Sequence, residues 1–487
     1  MTVVVRGEGL TADDVVAVAR RAERVELAPE ARERMERSRE RALAAARRAE
    51  PVYGVSTGFG ALAATRVAPE RQAELQLNLI RSHAAGIGRP VAAEVVRAMM
   101  LLRARSLAMG LSGVRPALAE AIVDLLNGGR VPIVPMHGSL GASGDLAPLA
   151  HVALELVDRG LELQSKEGLA LINGTDGMLA MLVLACEDAR CLFQTADVAA
   201  SMSVEALLGT DRAYAPDLQR IRPHPGQALS AANLTRLLAG SGIVASHRHS
   251  DHMVQDSYSM RCAPQVIGAA RDTLQFAQQV AERELRAVVD NPVVLEDGAV
   301  ASNGNFHGEP LAFALDFLAI AAAEVGAIAE RRIDRLLDPA RSQGLPAFLA
   351  LEPGVNSGLM VGQYTAAALV SENRRLAQPA SIDSLPTSAD QEDHVSMGWS
   401  AGMKLRSLLE NLAGIIAIEL VCAARGLDFR APLVPAAGTG AVRDLLRTRV
   451  PGPGRDRMLA PELAAATELV SSGAVVARAR EAVGELR

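Results

Sequence analysis

Aromatic side chains are scarce in this sequence: one Trp, four Tyr and eight Phe, 3% of 487 residues. The hydrophobic fraction is nevertheless 49%, so a core must come mostly from Leu, Ala and Val. That mix favours helices packed closely through small side chains. Cysteine is also rare. Cys186, Cys191, Cys262 and Cys422 show no CxxC spacing and read as reduced structural thiols, which suits a cytoplasmic protein. Neither sign of charge dominates: 50 basic against 56 acidic residues leave a formal charge of -6. This balance supports neither nucleic-acid binding nor a polybasic membrane anchor. The first residues carry Val3-Val4-Val5 and then Asp13-Asp14, with no basic region ahead of an apolar core, so no secretory leader is expected. Long apolar runs such as 311–329 contain Asp316 and Glu324, which argues for helices buried in an assembly and against membrane spans. No phosphate-loop GxxxxGK[ST] and no periodic repeat occur.

What is present is organised around Gly138-Ser139-Leu140-Gly141-Ala142-Ser143-Gly144-Asp145-Leu146-Ala147-Pro148-Leu149. Three glycines allow a backbone path closed to other residues, and Asp145 with Pro148 reads as the opening of a helix. A tight fold at Ala142-Ser143-Gly144 brings the Gly144 amide nitrogen onto the Ala142 carbonyl carbon. Cyclisation with loss of two waters, one of them the Ser143 hydroxyl, leaves an exocyclic methylene conjugated to a carbonyl. The product is an electrophile, a reactivity that cofactors usually supply because no side chain does so well. Taken alone, Ala-Ser-Gly is an ordinary loop tripeptide.

In chain order, Val3–Val5 reads as a short strand, and Thr11 with Asp14 reads as a helix cap. Helices are expected over 29–49, 69–85, 91–109 (opened by Pro90), 115–127 and 145–158. The stretch 131–135 is extended. Tyr53-Gly54-Val55-Ser56-Thr57-Gly58-Phe59-Gly60 is a glycine-punctuated loop, the kind of segment that displays functional groups; packing is the alternative for Tyr53. His83 on a helix reads first as structural, and Asn173, before an apolar helix, reads as a cap. Helix continues over 176–209, an irregular connection spans 211–225, and helices follow at 227–240, 264–288, 309–337, beyond 355, and at 395–425. Short strands are expected between 288 and 305. A Pro- and Gly-rich loop then precedes helices at 460–469 and 471–485.

His247, His249, Asp251 and His252 crowd into six residues, enough donors for zinc. A loop backbone does not aim them at one point, and no HExxH accompanies them, so the segment reads as a polar loop and no metal is expected.

The twelve-residue frame resembles the signature of the aromatic amino acid ammonia-lyases, which build a 4-methylideneimidazol-5-one (MIO) group from this tripeptide. Further motifs in the same order extend the resemblance to nearly the whole chain: YGVSTGFG, NLIRSHAAG, KEGLALINGT, VQDSYSMRCAPQV, NGNFHGEP, PASIDSLPTSADQEDHVSMG and GTGA. Within the family they resemble the histidine-specific branch. The resemblance implies a mainly α fold, a long-helix central bundle of the ammonia-lyase or fumarase-aspartase-like type. It implies MIO formed from Ala142, Ser143 and Gly144, with Tyr53 as the base for the β-proton and Tyr258 beside the prosthetic group. Arg261 pairs with the substrate carboxylate, Asn173 and Gln255 hydrogen-bond around the MIO carbonyl and substrate, and Phe306 lines the pocket. Glu392 and His83 bear on substrate choice. A carboxylate can accept an imidazole N–H, whereas a phenyl ring offers nothing to offset its desolvation; phenylalanine and tyrosine lyases usually carry glutamine at the Glu392 position. L-Histidine is therefore the implied substrate, trans-urocanate and ammonia the products, and a homotetramer with shared sites the implied assembly.

Two positions depart from the family pattern. The chain between Asp158 and Lys166 is shorter than usual, and Asp176 stands where glutamine is common. Regions 1–200 (MIO-bearing), 201–430 (long helices) and 431–487 (C-terminal helices) are the expected divisions. The rival readings are a tyrosine or phenylalanine ammonia-lyase or aminomutase, a zinc hydrolase using the histidine-rich loop, and a catalytically silent helical assembly protein.

Overall fold

Thr11 accepts a hydrogen bond from the Asp14 amide while the Asp14 carboxylate returns one to the Thr11 amide. This reciprocal cap starts the helix Ala12–Arg21 where the sequence places it. The computed structural model describes residues 2–46, 53–54, 57–250 and 252–487, and helix dominates them. The expected end of the 29–49 helix and its stop at Pro51, together with Val55, Ser56 and Asp251, lie outside the described residues.

The chain divides into two compact units, each drawn from three separated stretches. One comprises Met1–Leu184, Ala277–Asp316 and Pro379–Met403, the other Ala185–Phe276, Phe317–Gln378 and Lys404–Arg487. The longest helices among the described residues are Asp176–Ala206, Ala263–Glu284, Glu309–Leu337 and Gly398–Phe429. By length and composition, Glu167–Ala206, Glu309–Leu337 and Gly398–Phe429 could each cross a membrane. The most apolar stretch of the first is nonetheless wholly buried within the protein, and the segment buries Asp197, whose carboxylate is held by Arg271, Ser230 and Asn233 at 2.5–2.9 Å. A buried charge held this way belongs to a protein core.

Small residues let the helices approach, as the scarcity of aromatics requires. A Cβ on Gly426 would lie 2.8 Å from the Ala206 Cβ, and one on Gly402 would lie 2.7 Å from the Met181 Cε. The sole Trp, Trp399, is 2% exposed and donates its indole N–H to the Met136 carbonyl at 2.8 Å.

Some expectations are corrected. Pro90 does not open a helix: Ile87–Pro90 is a strand paired antiparallel with Pro135–His137, and the helix begins at Ala93. Because Pro lacks an amide N–H, it suits this strand end as well as a helix start. The 211–225 connection contains a 3-10 turn at Arg212–Tyr214 and a helix at Pro216–Arg220. The GTGA segment lies inside a helix, Ala437–Arg447, that the glycines concealed.

The connection after Asp158 closes tightly. After the helix Leu146–Asp158, the Arg159, Gly160 and Leu161 amides return to carbonyls of that helix's last turn, with Gly160 at φ +95°. Six residues later Glu167 accepts from the Arg115 guanidinium at 2.6 and 2.8 Å and from the Gln164 amide at 2.8 Å.

Candidate active site

The Ala142-Ser143-Gly144 loop is tethered on both flanks. The Leu140 carbonyl accepts from the Met397 amide at 2.8 Å, and the Gly141 carbonyl accepts from the Ser396 hydroxyl at 2.9 Å and the Gly308 amide at 3.1 Å. Ala142 is buried against Val395 and Met397. Downstream, the Asp145 amide donates to the Gly174 carbonyl at 2.7 Å. Asp145 precedes the helix Leu146–Asp158, yet its side chain makes no cap bond there. Its Oδ2 instead accepts from the Gly177 and Met178 amides at 2.9 Å each, and its Oδ1 accepts from the Ser139 hydroxyl at 2.9 Å. Burial pushes its carboxyl up to about 7, against those hydrogen bonds.

Two features of this loop suit a compact cyclised backbone. Gly144 sits at φ +78°, and a Cβ there would lie 2.2 Å from the Gly174 carbonyl oxygen, so only glycine fits. Beside it, Asn173 is 4% exposed and its Oδ1 is buried with no hydrogen-bond partner. A buried carbonyl left without a donor calls for a ligand or prosthetic partner. Asn173 itself ends the helix Glu167–Ile172 instead of capping the next one, and its backbone carbonyl accepts from Arg103 at 2.9 Å. Arg103 also pairs with Asp176 at 3.3 Å, both buried. Burial raises the Asp176 pKa, opposed by Arg103 and Arg105.

Glu392 reaches the tripeptide. Its Oε1 accepts from the Ser143 hydroxyl at 3.0 Å and its Oε2 from the Thr387 hydroxyl at 3.1 Å. His83 is half-buried with its Nδ1 3.0 Å from the Ser82 hydroxyl. Desolvation lowers its pKa, and the nearby Glu392 carboxylate opposes that shift. The Tyr53 hydroxyl accepts from the Gly60 amide at 3.1 Å, with the ring edge-on to Phe59. Phe306 is half-buried in the turn before the helix Glu309–Leu337. Tyr53, His83, Ala142, Ser143, Gly144, Asn173, Phe306 and Glu392 thus belong to one unit.

Gln255, Tyr258 and Arg261 belong to the other. Tyr258 is 71% exposed, and the Arg261 guanidinium lies over its ring at 4.6 Å. The Arg261 Nε is buried without a partner, and Gln255 is exposed.

The histidine-rich loop has its own explanation. The Nε2 atoms of His247 and His252 lie 3.0 and 3.2 Å from the Gly209 and Leu208 carbonyls, so those nitrogens carry hydrogen and are not free to ligate. Sequence reasoning missed a different group, His307, Glu309 and His394, whose ligand atoms lie within 4.8 Å of one another. His394 lies 87 positions from His307 in the chain, so no local spacing advertised the group. The Glu309 amide donates to His307 Nδ1, which leaves the hydrogen on Nε2, and this Nε2 meets His394 Nδ1 at 3.3 Å. In that tautomer His307 donates to His394, while the Glu309 Oε2 is buried without a hydrogen-bond partner.

The aromatic amino acid lyase profile matches residues 10–161 and 158–448. The two matched segments overlap at residues 158–161. Histidine ammonia-lyase of Streptomyces coelicolor is 55% identical over the full length of both chains, in an alignment of 510 positions. Among solved structures, tyrosine aminomutase from Streptomyces globisporus superposes with a TM-score of 0.95 at 37% identity, covering all of both chains. Histidine ammonia-lyase from Trypanosoma cruzi superposes with a TM-score of 0.90 at 40% identity, covering all of this chain and 96% of the other. On these grounds, and with the loop geometry already described, the chain belongs to the aromatic amino acid lyase family.

Proposed function

We propose that this chain is a histidine ammonia-lyase, eliminating ammonia from L-histidine without oxidation and releasing trans-urocanate. The observation that carries the substrate is Glu392, whose carboxylate sits 3.0 Å from the Ser143 hydroxyl with His83 nearby. A carboxylate there accepts an imidazole N–H and favours a cationic ring. A phenyl or phenol ring would leave it desolvated and unmatched.

Ala142, Ser143 and Gly144 are the residues that would form MIO, with Asn173 beside it; the group supplies the electrophile that makes the substrate amine a competent leaving group. Tyr53 takes the β-proton, the electrons of that bond form the Cα–Cβ double bond, and the Cα–N bond breaks with its pair leaving on nitrogen. The β-proton is weakly acidic, so fixed geometry must contribute much of the rate. The Arg261 guanidinium holds the substrate carboxylate as a bidentate pair. Tyr258 works beside the electrophile, Gln255 and Asn173 hydrogen-bond around it, and Phe306 lines the ring pocket.

A homotetramer sharing residues between sites, in the cytoplasm, completes the reading. Its support is an apolar face of the second unit, where Phe276, Phe317 and Ile320 are 41%, 45% and 47% exposed. Such a face buries well against another copy.

Purified protein is assayed with L-histidine by urocanate absorbance, alongside L-tyrosine and L-phenylalanine. Urocanate production that vanishes in Ser143→Ala is the expected result. Brisk turnover of tyrosine with none of histidine would overturn the substrate and favour the aminomutase-like rival. Inactivity on all three would favour the silent assembly protein.

A further inference from the structure

We infer that Thr387 is a positioning residue for the Glu392 carboxylate, and through it for the imidazole of the substrate; this rests on the histidine reading above. Thr387 and Glu392 face each other across a two-residue bridge. The Thr387 amide donates to the Glu392 carbonyl at 2.8 Å, and the Glu392 amide donates back at 3.2 Å. The connection between them runs through Ser388, Ala389 and Asp390 at φ +52°, +52° and +64°. Three successive non-glycine residues in the left-handed region are costly, and such a turn persists only where its surroundings over-determine it. One of those surroundings is the Tyr53 loop: a Cβ on Gly60 would meet the Ser388 Oγ at 2.6 Å, and the Gly60 amide donates to the Tyr53 hydroxyl.

The strained turn fixes the Glu392 backbone but not its carboxylate, whose terminal torsion is broad and two-fold. Two hydroxyls fix that: Ser143 on Oε1 and Thr387 on Oε2. They differ in permanence. Ring formation at Ala142-Ser143-Gly144 removes the Ser143 hydroxyl as water, which opens Oε1 towards the substrate. The Thr387 hydroxyl stays on Oε2 and holds the carboxylate plane.

The test compares wild type with Thr387→Val, which keeps the shape and removes the donor, and with Thr387→Ser, which keeps the donor. A lost hydrogen bond to a charged group predicts a drop of about 10- to 100-fold in kcat/KM for L-histidine. KM carries the larger share, because the imidazole contact is made in the ground state as well. Thr387→Ser recovers most of the loss, and intact mass shows the same loss of two waters in all three proteins. Unchanged kinetics in Thr387→Val, no recovery in Thr387→Ser, or failure to lose the waters would each overturn the positioning role. A wild-type chain inactive on histidine would instead overturn the substrate reading, and this inference with it.

Discussion

The Oδ2 of Asp145 lies 2.9 Å from the backbone nitrogen of Met178, so the residue ahead of one helix caps the start of another. Through this bond and that to Gly177, the reactive loop is anchored to the first turn of Asp176–Ala206. The anchor is pH-sensitive. The Asp145 carboxyl is raised from 3.8 to about 7 by burial. A raised acid binds more protons folded than unfolded, so its stabilisation is present below pH 4 and lost as pH climbs through 7. The span corresponds to on the order of 4 kcal/mol. Asp145→Asn should flatten the fall in stability between pH 4 and pH 7 in urea titrations. An undiminished slope in the variant would show that other groups set it.

Gly144→Ala places a methyl 2.2 Å from the Gly174 carbonyl at a positive φ. Left-handed strain and overpacking together predict a loss of roughly 3 kcal/mol or more. The variant should also fail to lose two waters at the tripeptide, read by mass spectrometry of the peptide containing 142–144. A stable variant with the normal mass would contradict the crowding argument.

Lys166 and Asp290 form a buried ion pair at 2.6 Å, 1% and 0% exposed. Burial lowers the Lys166 pKa while Asp290 holds it up. Lys166→Met strands a carboxylate and should cost about 3–5 kcal/mol in urea unfolding. The double variant Lys166→Met/Asp290→Asn should recover much of that loss. Equal destabilisation in both would point to packing of the lysine stem as the dominant contribution.

Arg332 forks onto Glu419 at 2.5 and 2.8 Å, with both side chains 0% exposed, and also donates to the Ser259 carbonyl at 3.1 Å. Ser259 lies in the short helix Tyr258–Arg261, so this arginine tethers the segment bearing two proposed site residues. Lysine cannot make the fork. Arg332→Lys should lose roughly 2–4 kcal/mol of stability and lower urocanate production while MIO formation, read by mass, continues. Wild-type kinetics in the variant would remove the tether from the argument.

Much of the site was legible because chemistry confines it to short runs. Ala142, Ser143 and Gly144 are adjacent, and Gln391-Glu392 stands out among residues where glutamine would signal another substrate. Helices were legible where apolar periodicity was long, as in Glu309–Leu337 and Gly398–Phe429. The helix at Ala437–Arg447 was concealed because Gly438 and Gly440 lower local propensity, and packing overrides propensity. Pro90 misled because its lack of an amide N–H suits a strand end as well as a helix start.

By itself, the sequence determined the family, the tripeptide able to cyclise, and a core of small aliphatic residues, since each follows from residue identity and order. Only the tertiary structure decided that Asp145 caps a helix some 30 residues away, that Glu392 reaches Ser143 across 249 positions, and that His307 meets His394 and not a neighbour in the histidine-rich loop. Those outcomes depend on where a carboxylate or imidazole finds its donors. That search runs through space, and local spacing along a chain does not specify it.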